Sequence, residues 1–318
     1  MHLRLTQIPI LVLVLVLAGF SSTIPFATLA QEATPGASPV SARSGTFDGP
    51  VDIGGRSLHL RCQGEGSPTV ILEAGGFGTP SDTWDVVMPQ VAEATRVCRY
   101  DRANNRSGRS DPAPTPRTAA DVVADLHALL QAADVPGPYV LVGPSVAGLF
   151  VRLYAATYPD VVVGLVLVDA SHEEAPTALG LFLSPENLAL SQRLDFEGGD
   201  PEGILAAESY PETLAQIREA RGTAPLRPMP LVALVAGATE DLTEYGYSAH
   251  EQAVWWPLTR VLGADLAALV PDGRLIMVEG SGHIIHEEQP TVVAQAIADV
   301  VNAVRDPSMW ATTATPVP

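Results

Sequence analysis

A serine within a short run of small residues is the first candidate for chemistry. Residues 138–150 read PYVLVGPSVAGLF, an apolar run that continues through Ser145 into a helical pattern. A turn from strand to helix this sharp strains the serine backbone, and only small residues two positions before and after it, here Gly143 and Ala147, leave room for it. The hydroxyl could then attack a carbonyl carbon while the N–H of Val146 faces the carbonyl oxygen. A turn in which Ser145 merely caps the helix is the alternative.

A histidine near the end of the chain could act as the general base for this serine. The apolar run Arg274–Glu279 predicts a strand, the Gly-Ser-Gly sequence at 280–282 predicts a tight turn, and His283 follows directly. A nucleophilic serine needs a neighbouring base to take its proton, and a histidine on the loop after the last strand of a parallel sheet can reach it. His286 is the one rival for this role.

Composition excludes several other chemistries and partners. The 318 residues include 36 acidic and 18 basic side chains, a formal net charge of −18, so binding to nucleic acid or to an anionic membrane surface is not expected. All 18 basic residues are arginines, which excludes a lysine Schiff base and a phosphate-binding Gly-Lys-Ser/Thr loop. The sequence has neither a paired-histidine metal motif nor a G-x-G-x-x-G loop. It therefore predicts no metal and no cofactor.

The elements that must position these residues follow an α/β pattern. Short apolar, β-branched runs alternate with segments of helical period, which is typical of a mostly parallel sheet covered by helices on both faces. The predicted strands are Ser57–Cys62, Thr69–Ala74, Thr95–Asp101, Tyr139–Val142, Val163–Asp169, Leu231–Ala236 and Arg274–Glu279. Thr118, with Asp121 three residues later, predicts one helix start, and Pro290 predicts another. Residues 172–229 break the alternation and indicate an insertion into a single domain spanning 46–306.

The two ends of the chain differ from this domain. Residues 8–20 form an apolar run of 13, shorter than the roughly 20 residues of a spanning helix, and small residues follow it up to Ala30. Residues 1–30 are therefore predicted to be a signal peptide cleaved after Ala30, with an uncleaved anchor as the alternative. The compositions of 31–45 and 307–318 are typical of a disordered linker and a flexible tail. The mature chain is expected to be secreted or extracytoplasmic, without stable membrane insertion.

The sequence between about Gly55 and Arg305 resembles the α/β-hydrolase superfamily, in particular its small esterase-like members. The segments that carry the resemblance are ILEAGG at 71–76, TRVCRYDRA at 95–103, VGPSVAG at 142–148, GLVLVDASH at 164–172 and EGSGHIIHEEQP at 279–290. The resemblance implies an α/β-hydrolase fold: an eight-stranded, mostly parallel sheet with an antiparallel second strand, flanked by helices, and a small cap at 172–229 after the sixth strand.

Three departures from the family pattern are visible. Pro144 stands where a histidine usually precedes the nucleophile, and Ala147 replaces the last motif glycine. The loop at 101–111 is longer than the family's usual sequence. The first two positions adjoin the predicted nucleophile, so we expect them to affect substrate choice or the level of activity.

The resemblance also implies the rest of the site. An oxyanion hole would use the amide of Val146 and that of Gly76, with Phe77 as the alternative second donor. The family places the acid that orients the histidine after either of two strands. These positions are Asp169 and Asp241, the latter beside Glu240. We favour Asp169 because it ends a buried strand that points to the same sheet edge.

The resemblance further places the strands of Cys62 and Cys98 side by side. These are the chain's only cysteines, and the predicted signal peptide directs them to an oxidising compartment, so we expect a disulfide between them. Two buried free thiols are the alternative.

A serine nucleophile with a histidine base suits acyl transfer, and thus hydrolysis of a small carboxylic ester, lactone or thioester. Serine at this position argues against the dehalogenase and epoxide hydrolase chemistry of relatives that carry aspartate there. Two alternatives stay open: a member of the fold that only binds a ligand or partner, and a cofactor-free lyase or perhydrolase that uses the same triad. A small ester-like molecule is the expected partner. The sequence does not indicate whether the chain forms oligomers.

Overall fold

The structure is a computed structural model that describes residues 42–76, 78–190, 209–239 and 241–312. The predicted signal peptide at 1–30 lies outside these ranges, as do most of the predicted linker and the middle of the predicted cap. No helix in the part of the chain that the structure describes is long and apolar enough to cross a membrane.

Within these ranges, eight strands form one sheet in the order β1-β2-β4-β3-β5-β6-β7-β8. The strands are β1 (Phe47–Asp52), β2 (Ser57–Gln63), β3 (Thr69–Leu72), β4 (Val97–Tyr100), β5 (Tyr139–Pro144), β6 (Val162–Val168), β7 (Leu231–Ala236) and β8 (Arg274–Val278). Strand β2 pairs antiparallel with both neighbours, and every pair from β4 to β8 is parallel. The predicted eight-stranded, mostly parallel sheet with an antiparallel second strand is confirmed.

The central strands are buried on both faces because alternate side chains enter two separate cores. Leu141, Leu165 and Leu167 pack into the core under one helical layer, whereas Val140 and Val166 pack into the core under the other. Burial on both faces explains why these strands read as unbroken apolar runs. Their existence is therefore visible in the sequence.

The helices of the described ranges cover both faces of this sheet. They are α1 (Val87–Ala92), α2 (Ala119–Ala132), α3 (Ala147–Thr157), α4 (Ala175–Leu179), α5 (Tyr210–Thr223), α6 (Ala249–Ala267), α7 (Ile285–Glu288), α8 (Pro290–Arg305) and α9 (Ser308–Thr312). Short 3₁₀ turns lie at Ser81–Trp84 and Thr243–Tyr245. Helix α2 begins with the predicted capping box, in which Thr118 and Asp121 bond each other's backbone amides.

The insertion between β6 and β7 is partly helical. Helix α4, the helical residues 185–190 and helix α5 belong to it, and 191–208 lie outside the described residues. Helix α5 packs against α2 and α3. The described parts of this segment lie between the sixth and seventh strands, and the small cap at 172–229 stays a prediction.

The structure departs from the predicted domain ends in two places. Ala42, within the predicted linker 31–45, is buried, and its N–H donates to the carbonyl of Ala133 at 2.7 Å. The predicted flexible tail 307–318 begins instead with helix α9, where the Trp310 ring lies 3.6 Å from the guanidinium carbon of Arg274. Composition could not predict these contacts because one buried alanine or one stacked tryptophan is enough to hold an otherwise polar segment.

The first strand is the one that the apolar runs did not reveal. In β1 (FDGPVD) only Val51 is fully buried, and the strand pairs with β2 alone at the edge of the sheet. An edge strand needs few apolar side chains and tolerates proline, so it lacks the pattern of the central strands. The partner strand, rather than its own hydrophobicity, determines this element.

A disulfide joins Cys62 and Cys98, as the sequence predicts. The two residues are direct partners across the antiparallel pair β2–β4, and their Cα atoms are 4.1 Å apart. Both side chains are fully buried in the core beneath the sheet.

Removing this disulfide should lower stability without abolishing activity. The bond joins cysteines that are 36 residues apart in the sequence. In the chain-entropy model, closing a loop of this length stabilises the folded state by about 3–4 kcal/mol. We expect the Cys62→Ala/Cys98→Ala double variant to lose about that much free energy of unfolding in urea. Reduced wild-type protein is the matched control, since it keeps both side chains without the bond. Two titratable thiols per chain in denatured, unreduced protein would contradict the prediction.

Candidate active site

Ser145 lies in the strained turn between β5 and α3. Its φ angle is +51°, in the left-handed region that non-glycine residues rarely adopt. The turn is held by backbone hydrogen bonds: the Ser145 N–H donates to Val168 O at 3.1 Å, and its carbonyl accepts from the N–H groups of Gly148 at 3.0 Å and Ser171 at 2.9 Å. The neighbouring strand β6 and the loop after it therefore fix the position of the serine.

The small residues around Ser145 are required by close contacts. A Cβ atom on Gly143 would lie 2.7 Å from the carbonyl oxygen of Ala147, and one on Gly148 would lie 2.4 Å from the Cβ of Ala170. Ala147 itself is fully buried. The turn thus accommodates alanine at position 147, and the close approach that requires glycine occurs one residue later, at Gly148.

His283 and Asp169 are hydrogen bonded to each other. The distance between His283 Nδ1 and Asp169 Oδ2 is 2.6 Å. Asp169 follows β6, has a φ of +42°, and accepts the N–H of Ala236 at its other carboxylate oxygen at 3.0 Å. One oxygen is thereby fixed by the end of β7 and the other faces the imidazole. In a Ser-His-Asp triad, a histidine held in this way through Nδ1 acts on the nucleophile through Nε2.

Asp241, the alternative acid, has a different environment. Its side chain is exposed, and one carboxylate oxygen accepts hydrogen bonds from the backbone N–H and the hydroxyl of Thr243. These two bonds lower the pKa of Asp241. The residue stabilises its own turn, and Glu240 beside it lies outside the described residues.

His286, the rival base, is buried beside the site. Its ring packs on Trp84 with ring centroids 4.5 Å apart, and its Nδ1 has no hydrogen-bond partner among the described residues. Burial, and then the nearby His283, lower the pKa of His286 to about 4. The neutral imidazole therefore behaves as part of the core.

The buried His286 should make the fold sensitive to acid. Its pKa is about 4 in the folded protein against 6.5 ordinarily, so its contribution to stability is complete above pH 6.5 and is lost as the pH falls to about 4. We expect His286→Leu to reduce the loss of unfolding free energy between pH 7 and pH 4.5 by about 2 kcal/mol. Urea unfolding at the two pH values measures this. His250→Leu, at an exposed position in α6, is the control, and an equal acid loss in wild type and His286→Leu would contradict the prediction.

The two residues that are predicted to supply the oxyanion donors, Val146 and Gly76, are in contact. A Cβ atom on Gly76 would be 3.0 Å from Cγ1 of Val146, so the Gly76 backbone is in contact with the residue after the serine. The carbonyl of Gly76 accepts from the N–H of Thr79 at 3.0 Å and from its hydroxyl at 2.6 Å, which closes the turn. Phe77, the alternative donor, lies outside the described residues.

A buried ion pair that the sequence analysis missed supports this turn. The Arg102 guanidinium donates to the carbonyls of Ala74 and Gly75, both at 2.6 Å, and to Glu73 Oε1 at 2.7 Å. Glu73 also accepts the hydroxyl of Tyr100 at 2.6 Å. Burial, and then the Glu73 carboxylate, raise the pKa of Tyr100 well above its usual value. A charged residue directly after an apolar strand was the available signal, because a buried carboxylate requires a partner.

A second buried ion pair connects the Ser145 helix to the Asp169 loop. Glu173 bonds Arg152 at 2.8 Å and Arg221 at 2.9 Å, and Arg152 also donates to Gly148 O at 3.1 Å. Burial opposes ionisation of Glu173, but the charges of Arg152 and His172 outweigh it and lower its pKa to about 2. Helices α3 and α5 and the loop after β6 are thereby held together.

A cavity of about 290 Å³ adjoins the Asp169–His283 pair, and we call it the α6 cavity. It lies between the ends of β6 and β7, helix α4 and the inner face of α6. Its walls include Asp169, Ser171, His172, Leu179, Tyr210, Trp255, Trp256, Leu258, Leu262 and His283. Among the described residues, no group of three or more His, Cys, Asp or Glu side chains is placed to hold a metal ion.

The family match and the similar proteins described below agree with the α/β fold of this chain. The model of the alpha/beta hydrolase family matches residues 71–296. An uncharacterized protein of Bacillus subtilis, YqjL, is 28% identical over 251 residues, which cover 78% of this chain and 89% of that protein. The 2-(acetamidomethylene)succinate hydrolase of Mesorhizobium japonicum is 26% identical over 276 residues, 80% of this chain and 94% of that enzyme. A thermophilic esterase from Thermogutta terrifontis shares the fold, with a TM-score of 0.52 and 19% identity over 82% of this chain and 99% of that structure.

Proposed function

Because this chain belongs to the alpha/beta hydrolase family, we propose that it is a serine hydrolase that cleaves a small carboxylic ester through an acyl-enzyme. The observation that carries the proposal is the 2.6 Å hydrogen bond between His283 and Asp169 near the strained turn of Ser145. Acyl transfer requires a nucleophile, an oriented base and donors for the oxyanion, and the contact between Gly76 and Val146 also supports the proposal.

In this proposal, Ser145 Oγ attacks the ester carbonyl while His283 takes its proton. Asp169 holds the imidazole through Nδ1 and stabilises its positive charge. The amides of Val146 and Gly76 donate to the carbonyl oxygen as it becomes negative. The protonated His283 then gives its proton to the departing alcohol. Water, activated by the same histidine, attacks the acyl-enzyme and releases the acid and Ser145.

Hydrolysis of an amide in a dicarboxylate is a second candidate. It is favoured by the 26% identity to the 2-(acetamidomethylene)succinate hydrolase over nearly the whole of that enzyme. A dicarboxylate is ordinarily held by arginine or lysine, and the described residues that line the α6 cavity include no arginine. We therefore place ester hydrolysis first.

We also propose that the protein is secreted. The buried Cys62–Cys98 disulfide supports this, because structural disulfides form and persist in oxidising compartments. The apolar run at residues 8–20, which is typical of a signal peptide, is the second support.

Labelling with a fluorophosphonate probe tests the proposed chemistry. The probe reacts covalently with an activated serine, so we expect the wild-type protein to be labelled at one site and Ser145→Ala not at all. Equal labelling of the two proteins would place the reactive serine elsewhere. No labelling of either would indicate a member of the fold that only binds its ligand. Turnover of esters by the unlabelled wild-type enzyme then separates a hydrolase from a lyase.

A further inference from the structure

The inner face of α6 is incompletely packed where it borders the candidate site. Trp255, Leu258, Thr259 and Leu262 follow the i, i+3, i+4, i+7 spacing of one helix face, and all four are only half-buried although they point towards the domain. Such a face is ordinarily buried in the core. Trp255 and Leu258 also pack against the apolar cluster of Leu179, Leu183 and Tyr247, and the face stays partly accessible where it borders the α6 cavity.

The side of the α6 cavity formed by strands β6 and β7 is also apolar, and helix α6 packs closely against the sheet there. Strand residues Leu167 and Ala233 are fully buried beneath it. Helix α6 touches β7 at Gly263, where a Cβ atom would come within 2.3 Å of Val235 Cγ2. This close contact fixes the helix against the sheet, so the cavity is a feature of the packed fold.

The titratable side chains His172, Asp169 and His283 in the cavity wall all take part in hydrogen bonds. The imidazole of His172 bonds Asp265 at 2.8 Å, and Arg221 approaches the same carboxylate oxygen at 2.7 Å. Asp169 and His283 bond each other. The described residues that line the cavity include no arginine that could bind a carboxylate ligand, and the net charge of −18 also repels anions.

We propose that the α6 cavity binds an uncharged apolar group of about six to ten carbon atoms carried by the ester substrate. This inference rests on the proposed serine hydrolase function. The volume of about 290 Å³ corresponds to roughly ten groups the size of a water molecule, each near 30 Å³. Because the cavity adjoins His283, the apolar group belongs to either the acyl or the alcohol side of the ester.

Two series of esters test the inference and distinguish the two sides. Methyl esters of acids with two to twelve carbons vary the acyl side, and acetates of alcohols with one to twelve carbons vary the alcohol side. We expect kcat/KM to rise in one series by up to about fourfold per methylene and to level off near eight carbons. If the acyl series responds, the monomethyl ester of an eight-carbon dicarboxylic acid should be at least about 100-fold poorer than methyl octanoate. If the alcohol series responds, the acetate ester of 8-hydroxyoctanoate, which carries its charge at the end of the alcohol chain, should be poorer than octyl acetate by the same factor. No rise in either series, or a preference for the anionic ester, would overturn the inference.

Two neighbouring positions on α6 give a matched pair of variants. Leu262 lines the cavity, whereas Val261 is 63% exposed on the outer surface of the helix. Leu262→Trp should lower kcat/KM for the eight-carbon substrate by at least about tenfold and leave the shortest ester within about twofold. Val261→Trp adds the same ring outside the cavity and should leave both values unchanged. The same change of chain-length preference in both variants would contradict the assignment.

A binding measurement separates this inference from the proposed function. If no ester is cleaved and Ser145 is not labelled by a fluorophosphonate, the proposed function fails, and the cavity can still be tested with 1-octanol. We expect octanol to change the tryptophan fluorescence of the Ser145→Ala variant saturably, since Trp255 and Trp256 line the cavity. Adding Leu262→Trp should weaken that binding by at least about tenfold, and adding Val261→Trp should not. Absent or equal binding would overturn the cavity assignment itself.

Discussion

The Ser145→Ala variant is expected to lose at least about 10³-fold in kcat for ester hydrolysis, with a much smaller change in KM. In the proposed reaction Ser145 Oγ forms the acyl-enzyme bond, and alanine has no group that can replace it. Removal of the equivalent serine in subtilisin costs about 2 × 10⁶ in kcat, which sets the upper range of the effect. The proposed oxyanion donors, the amides of Val146 and Gly76, would remain, so any residual rate reports these donors and binding alone.

Initial rates on a soluble ester over a range of concentrations give the two constants. Ser57→Ala is a matched control because Ser57 lies in β2, towards the other edge of the sheet, and should retain wild-type kinetics. Urea unfolding shows whether the two variants are equally folded. A kcat of Ser145→Ala within tenfold of wild type would remove Ser145 from the reaction.

The Asp169→Asn variant is expected to lower kcat by about 10²–10⁴-fold, whereas Asp241→Asn should stay within about threefold of wild type. The asparagine oxygen can still accept the N–H of Ala236, which Asp169 Oδ1 does at 3.0 Å. Its NH₂ group then faces His283 Nδ1, in place of the carboxylate oxygen at 2.6 Å. An amide donor there stabilises the tautomer that carries its proton on Nε2, and this tautomer cannot take the serine proton.

Parallel kinetics and fluorophosphonate labelling of both variants distinguish the two acids. The rate of labelling should fall with kcat in Asp169→Asn, since both depend on activation of Ser145. A large loss in Asp241→Asn together with a small one in Asp169→Asn would transfer the role to Asp241. Wild-type behaviour of both variants would indicate that Ser145 and His283 act without an acid.

The charged networks behind the site show where sequence reasoning stops. Glu73 and Arg102 are buried partners 29 residues apart, and Arg152 and Glu173 are buried partners 21 residues apart. Each residue is visible in the sequence as a charge beside an apolar run, but the pairing depends on which strand ends and loops become neighbours. Since removing one member of a buried pair leaves the other charge uncompensated, these residues shape the site without belonging to its chemistry.

The sequence by itself determined the features that depend on a few neighbouring residues. The central strands follow from unbroken apolar runs, because both sheet faces are covered, and the Thr118–Asp121 cap follows from local hydrogen bonding. The turn at Ser145 follows from sterics, since Gly143 has no room for a side chain. These constraints act within one turn or one strand, so they can be read directly from residue types and spacing.

Only the tertiary structure decided which distant residues meet. Asp169 and Asp241 both follow parallel strands that end at the same sheet edge, and the sequence favoured Asp169 only narrowly. The structure brings Asp169 to His283 across 114 residues, while the Asp241 carboxylate accepts from Thr243 two residues away. The difference arises because β6, which precedes Asp169, lies between β5 and β7, next to the Ser145 turn. Strand order and side-chain orientation result from the packing of the whole sheet, and no local pattern specifies them.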